Sequence, residues 1–574
     1  EHTSGGGSKN VDVSLLPISE RLLDSVQEDQ DHHQKHPHLH QNQNPNSATQ
    51  VQQSLQGLEE ATIAAVKSDL LFNKEHSSSM GSRTTTTIGR GSGDNIAGEV
   101  EVDAGILQTK RILNSVGEDC DLSPCGSKRP VITESGTAFQ TKVSACIDDG
   151  TCPEGVPIGC WDTSEVTDMS NAFKSKDSFN DSINCWNVAS VDSMNKMFYK
   201  ATDFNQPLNN WNVASVTDMR YMFKLASDFN QPLNDWDVAR VNNLKFMFQE
   251  ASNFSQPLDD WNVASVSDMN NMFYKTTNFN QPLDDWNVAS VTDMAFMFQG
   301  ATKFNQPLDD WNVASVTDMG GMFYGSYYAA ASFNQPLDDW NVASVASMAF
   351  MFQGATKFNQ PLDDWNVASV IYMQQMFSTA TNFNQPLDDW NVASVNGMQG
   401  MFYEATNFNQ SLNDWNVASV NNLKFMFQEA SNFSQPLDDW NVASVTDMTY
   451  MFDGASNFNQ PLDDWNVASV TDMAFMFQGA TKFNQPLDDW NVASVIYMQQ
   501  MFSTATNFNQ PLDDWNVASV NDMQGMFYEA TNFNQSLNDW NVASVNTMKE
   551  MFEEASNFNQ PLDDWDVASV DSMV

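Results

Sequence analysis

The sequence predicts an α/β repeat fold, a solenoid built by stacking one small unit about 16 times. Three observations predict it. All 17 tryptophans mark one point in the unit, from Trp161, Trp186 and Trp211 onward to Trp565. They recur every 25 residues, except for a step of 29 between Trp311 and Trp340. Apolar positions recur with them, so each unit presents an apolar face that only a stacked neighbour can cover. A chain of 574 residues that is 41% hydrophobic can bury such a core continuously, without dividing into globular domains. It contains no apolar run of about 18 residues, so nothing in it reads as a membrane span.

Within the unit that begins at Trp286, Met294, Met297, Phe298 and Ala301 stand at i, i+3, i+4 and i+7, one face of a short helix. Thr292 and Asp293 precede that face as its N-terminal caps, and Gly300 follows as its stop. Residues 304–313 alternate apolar and polar side chains and read as a short extended piece with a turn. Pro307 limits its length, because proline donates nothing to a sheet ladder. Exposed aromatics at regular spacing can bind sugars or single strands, but the reading favoured here puts the Trp, Met and Phe columns in the core. The four extra residues of the long step, within 325–330, are expected to bulge outward and leave the stack unbroken.

Before the array the chain changes character. Residues 1–114 are polar, low in complexity and expected to be mostly disordered. They include a His-rich tract at 31–40, which reads either as a transition-metal binder or as polar linker, the latter favoured. Residues 58–72 suit one amphipathic helix, and 77–98 a flexible Ser/Thr/Gly linker, a possible place for O-linked sugars. Residues 115–160 form a cysteine-containing cap, and 161–574 the solenoid. Cys120, Cys125, Cys146, Cys152, Cys160 and Cys185 all lie before or in the first unit. An even number clustered at the start of a rod indicates disulfides and an oxidising compartment. A metal site is the weaker reading, since no Cys-x-x-Cys pair occurs and no histidine is near. The chain begins at Glu1 without methionine, which fits a removed leader or a fragment. The array reaches Val574 inside a unit with no polar cap, and that favours the fragment.

The formal charge is −47. Residues 1–150 hold 12 Lys+Arg and 21 Asp+Glu, leaving 14 basic and 52 acidic residues, a balance of −38, for 151–574. Such a surface repels nucleic acid and anionic lipid, and attracts cations, basic proteins or mineral. The acid concentrates before each Trp. One unbroken column includes Asp260, Asp285, Asp310, Asp339, Asp364 and Asp389, with a second acid beside most of its members. At strand spacing of about 4.8 Å, neighbouring carboxylates would repel by roughly 1 kcal/mol in water. Ca²⁺ would relieve that, and carboxylate oxygens are its ligands. The competing reading makes these residues turn formers that bond nearby backbone N–H groups. No other cofactor is implied. Catalysis is not expected: the array contains no histidine and no phosphate loop, and a carboxylate pair repeated along a rod is no unique dyad. Short sequons occur at Asn180, Asn253, Asn409, Asn432 and Asn534 and fit a secreted eukaryotic protein.

The pattern W-[ND]-V-A-S-V-x-x-M-x-x-M-F-x-x-A-x-x-F-N-Q-P-L resembles the repeat of BspA-like leucine-rich-repeat surface proteins. The resemblance covers Trp161 to Met573, about three quarters of the chain. It implies a right-handed leucine-rich-repeat-like solenoid, a secreted or cell-surface location, and adhesion to surface or matrix proteins or to glycans. The alternative reading is an acidic extracellular matrix protein that binds Ca²⁺ or mineral. The first unit departs from the pattern, with Ala172-Phe173 for Met-Phe and Asp181-Ser182-Ile183 for Gln-Pro-Leu, as a capping unit would. Residues 348–421 recur at 473–546 with a single difference, Gly397 against Asp522, which points to recent block duplication. An array that changes length in this way suits a surface spacer or adhesin better than an enzyme.

Overall fold

The computed structural model describes Cys125, residues 128–325 and residues 331–572. The His-rich tract, the helix expected over 58–72, the linker at 77–98, the disorder expected of 1–114, Cys120 and most of the 325–330 insertion lie outside the described residues.

The repeats stack as coils. One residue of each coil forms a parallel bridge with its counterpart in the next, from Asp168 with Ser193 along the array to Thr547 with Ser572. The stack continues across the long step: Asp318 bridges Ser347, and the Trp311 and Trp340 rings lie 6.5 Å apart and 1° from parallel. The Trp, Phe, Met, Val and Leu columns fill one continuous core, with Trp286, Trp365 and Trp415 each 2% exposed. That is the core reading of the Trp column.

The helix expected in each unit is absent, and the reason is where the backbone bonds go. The N–H groups of Met294, Phe296, Phe298 and Gly300 donate to the next coil, at Asp318, Gly320, Met322 and Tyr324, over 2.7–3.0 Å. The N–H groups between them, of Met297, Gln299 and Ala301, close turns three residues back. An α-helix would send every one of these to the residue four back. Phe296 at φ +58° and Gly300 at +66° are left-handed, which suits a turn with positive φ at its third residue and excludes a helix. Thr292 and Asp293 therefore cap no helix; the Asp293 carboxylate instead accepts the Ala295 N–H at 3.0 Å. The apolar pattern misled because this chain of turns buries the same four positions that a helix face would.

The extended piece forms no strand either. Its backbone groups pair largely with side chains of the neighbouring coil. The Asn384 Oδ1 accepts the Asn409 N–H (2.9 Å) and the Gln410 amide (3.1 Å), and the Asn384 carbonyl accepts that same amide at 3.0 Å. The Trp390 indole donates to the Leu362 carbonyl at 2.9 Å, and the Ser394 hydroxyl to the Ala368 carbonyl at 2.9 Å. Copies of these bonds recur along the array.

Each coil is a wedge. Between the coils of Trp365 and Trp390, equivalent rings are separated by 5.7 Å at Phe377–Phe402, 6.0 Å at Phe383–Phe408 and 6.4 Å at the tryptophans, all nearly parallel. Bridged backbones sit about 4.8 Å apart. The step thus widens from the bridged face, the ladder face, toward the Trp side.

A helix closes the N-terminal end of this core. The only α-helix among the described residues, α1 (Gly136–Asp149), buries Phe139, Val143 and Cys146, and Phe139 meets Trp186 edge-on at 5.7 Å. Disulfides Cys125–Cys160 and Cys146–Cys152 tie the cap, and Cys185 is also disulfide-bonded. Gly159 lets the cap approach the first coil, because a Cβ there would collide with the Ser182 carbonyl.

Candidate functional site

The array offers two surfaces of different origin. On the ladder face backbone bonds backbone, so the stack does not depend on one particular set of side chains there, although some pair between coils, as the Gln353 amide does with the Gln375 Oε1 at 2.9 Å. This is where the copies differ. The first left-handed column reads Asn171, Lys196, Tyr221, Phe246, Asn271 and Phe296 in its first six coils, and the bridge column mixes Asp, Asn, Ser, Tyr, Gly and Thr. On the opposite side the Asn, Gln, Ser and Trp side chains carry the inter-coil bonds and scarcely vary.

The ladder face changes character along its length. Toward the N-terminus it carries lysines interleaved with aromatic rings: Lys174 and Lys200 lie 5.7 and 5.6 Å from the Tyr199 ring, and Lys196 lies 4.6 Å from the Tyr221 ring. Further along it carries Glu404, Glu429, Asp453 and Glu529. Burial pushes the Asp453 carboxyl up to about 7; the Gln428 amide, 2.8 Å away, opposes the shift and Glu429 adds to it. Burial raises Glu429 too, with Glu404 beside it. Asp268, in the bridge column, is pushed up to about 6 by burial first and then by Asp293. A neutral buried acid is cheaper than a charged one, so these groups reflect crowding on a stacked face rather than an acid–base pair.

The acid columns lie on the wide, Trp side. Asp284 and Asp285 occupy the corners of a turn closed by the Trp286 N–H on the Leu283 carbonyl at 3.1 Å, as do their counterparts in other coils. Asp260, Asp285, Asp310, Asp339, Asp364 and Asp389 are all exposed. The turn is present, but the side-chain bonds to nearby N–H groups fall elsewhere. They belong to the residue after each Trp, as at Asn287 to the Ala289 N–H (3.2 Å). Where asparagine opens the pair, it grips the next coil instead: the Asn234 amide donates to Asp260 at 2.8 Å and its Oδ1 accepts the Asp260 N–H at 3.1 Å. The step beside these columns is 6.4 Å rather than strand spacing, so carboxylate repulsion in water falls to about 0.6 kcal/mol. Among the described residues no group of three or more His, Cys, Asp or Glu is placed to hold a metal ion.

The sequons divide by position. Asn253 and Asn432 stand exposed at the coil edge. Asn180, Asn409 and Asn534 each accept the N–H of the residue one coil on, so their carbonyls belong to the stack. The residues that sequence reasoning passed over are those of the ladder face, Lys174, Tyr199, Lys200 and Asp453 among them. Their signal was available as the positions that change between otherwise identical copies.

A family described as Mycoplasma protein of unknown function, DUF285, matches this chain over residues 145–259, 228–329, 325–440, 411–510 and 486–574. No curated protein matches it. No helix among the described residues is long and apolar enough to cross a membrane.

Proposed function

This chain belongs to the DUF285 family of tandem-repeat proteins, and from that premise we propose that it is a secreted or cell-surface adhesin that binds partners through the ladder face and performs no catalysis. The observation that carries this reading is the confinement of sequence change to one face of an otherwise uniform stack. Variation that costs the fold nothing is the raw material of recognition, and stacked repeats offer it over a long surface. The disulfides of the cap support an oxidising, extracellular setting. We read the stack as a right-handed relative of the BspA-like leucine-rich-repeat solenoids, with turns in place of helices. The test is a binding screen of the chain against cell-surface and matrix components, repeated with alanines along the ladder face. Retention that those alanines remove supports adhesion. Retention lost only through changes on the Trp side contradicts it.

The exposed acid columns favour a second reading, Ca²⁺ binding along the rod. Ca²⁺ would then raise the melting temperature by linkage. Asp→Asn at Asp285, Asp310, Asp339 and Asp364 should reduce that gain and leave the fold intact, because asparagine serves the same turn. Calorimetry that detects no heat at millimolar Ca²⁺ removes this reading.

A further inference from the structure

We propose that the N-terminal part of the ladder face binds a sulfated or carboxylated polysaccharide, an inference that rests on the adhesive reading and names one class of its partners. Of the 14 basic residues in 151–574, nine fall before Trp286, within five of the 16 coils. Seven of these, all but Lys176 and Arg240, stand on the ladder face, where the later coils carry mostly glutamine, glycine and acid. Lys174 and Lys200 are exposed, and neither forms an ion pair among the described residues. Both lie about as far from the same ring, that of Tyr199. Lys245, 5.0 Å from the Phe246 ring two coils on, is buried beside Asp268 and adds little to the exposed charge. Lys174 and Lys200 thus place two exposed ammonium groups from adjacent coils around one ring.

A cluster of exposed point charges suits an anionic polymer, and the aromatic rings decide which kind. Tyr221 and Phe246 stack on each other at 4.6 Å and 16°. One face of each is covered by the other, Lys196 lies over Tyr221 at 4.6 Å, and Lys224 and Lys245 lie over Phe246 at 5.1 and 5.0 Å, so neither ring is an open platform for a base, and stacking is what single-stranded nucleic acid needs. A polysaccharide asks less: sulfate or carboxylate groups meet the ammoniums, and hydroxyls and ring C–H groups meet aromatic edges. The charge of −47 does not forbid this, because screening limits the distant acids to about 8 Å at physiological salt. The bulk charge that predicts repulsion of polyanions conceals a local exception.

The test uses the full chain and a heparin dodecasaccharide, titrated in low salt, with oligo(dT) of matched charge and a neutral dextran as comparators. The expected result is saturable binding to the sulfated sugar that weakens steeply with added salt, at least tenfold weaker binding to oligo(dT), and none to dextran. Lys174→Glu with Lys200→Glu should weaken it at least tenfold with the melting temperature unchanged. The fold accepts glutamate at both places, since Glu553 and Glu250 occupy the same columns in other coils. Lys424→Glu with Lys549→Glu, in the distal coils, should change nothing. Absence of binding at low salt, equal affinity for oligo(dT), or indifference to the Lys174 and Lys200 changes would overturn the proposal. A chain that fails here and yet binds a matrix protein in the screen keeps the adhesive reading and loses only this one.

Discussion

The ladder face and the Trp side solve the same problem in opposite ways. Both must satisfy backbone groups between coils. On the ladder face the backbone satisfies itself: the Phe377 N–H meets the Met401 carbonyl at 3.0 Å, and the stack does not depend on which side chain stands beside it. On the Trp side the coils are too far apart for that, and side chains reach across, as Gln410 does to Asn384. A side chain that holds the stack together seldom varies, Ser255 and Ser434 in the asparagine column being exceptions. The wedge shape of the coil thus determines which residues are uniform and which carry individuality.

The Trp column should break first. Trp390→Ala removes a buried ring and the donor to the Leu362 carbonyl, and should cost about 3–5 kcal/mol. Gln374→Ala, on the ladder face of the next coil back, removes a side chain whose Oε1 accepts no hydrogen bond and should cost within about 0.5 kcal/mol. Urea unfolding followed by fluorescence compares them, and similar losses would erase the distinction between faces.

A buried acid on the ladder face sharpens it. Asp453 has a folded value of about 7, against about 3.9 in an unfolded chain. Below pH 4 both states hold the proton. Between about 4 and 7 the folded state keeps it while the unfolded chain releases it, so stability falls as pH rises and the loss is complete above 7. The melting temperature should therefore drop between about pH 4 and 7, and Asp453→Asn should flatten part of that slope. A variant with an unchanged slope would show that Asp453 is not the source.

The asparagine column carries its own control. Asn384→Ala would strand the Asn409 N–H and leave the Gln410 amide only the residue-384 carbonyl, and should cost about 1–3 kcal/mol by thermal melting. At Ser255 the shorter side chain leaves the Asn280 N–H without such a bond, although the Gln281 amide still reaches the Ser255 carbonyl at 2.9 Å. Ser255→Asn in unglycosylated protein should therefore stabilise, by about 0.5–1.5 kcal/mol. A neutral result would mean that the column is not held by this bond.

Much of this was legible in the sequence. The 25-residue period revealed the stack, and the cysteine cluster the tied cap. The buried positions were assigned correctly even though the element that buries them was not. Met294, Met297, Phe298 and Ala301 read as a helix because spacing records only which residues face inward. It does not record whether Phe296 turns left-handed or where its N–H points. The Asn-Gln pair was visible as uniform and its reason was not, because an asparagine that bonds the next coil looks like one that forms a turn. The candidate site was missed for a related cause. The repeated Asp columns are the conspicuous pattern, whereas the residues free to recognise a partner are those that repetition leaves alone.

One pair of substitutions tests the central claim directly. Gln399 and Gln410 belong to the same coil, Gln399 on the ladder face and Gln410 on the Trp side. The Gln399 Oε1 is buried without a donor, whereas the Gln410 amide donates to both the carbonyl and the side chain of Asn384. Urea unfolding of Gln399→Ala and Gln410→Ala should give a change within about 0.5 kcal/mol for the first and a loss of about 1–2 kcal/mol for the second. Equal losses, or a larger loss at Gln399, would contradict the account.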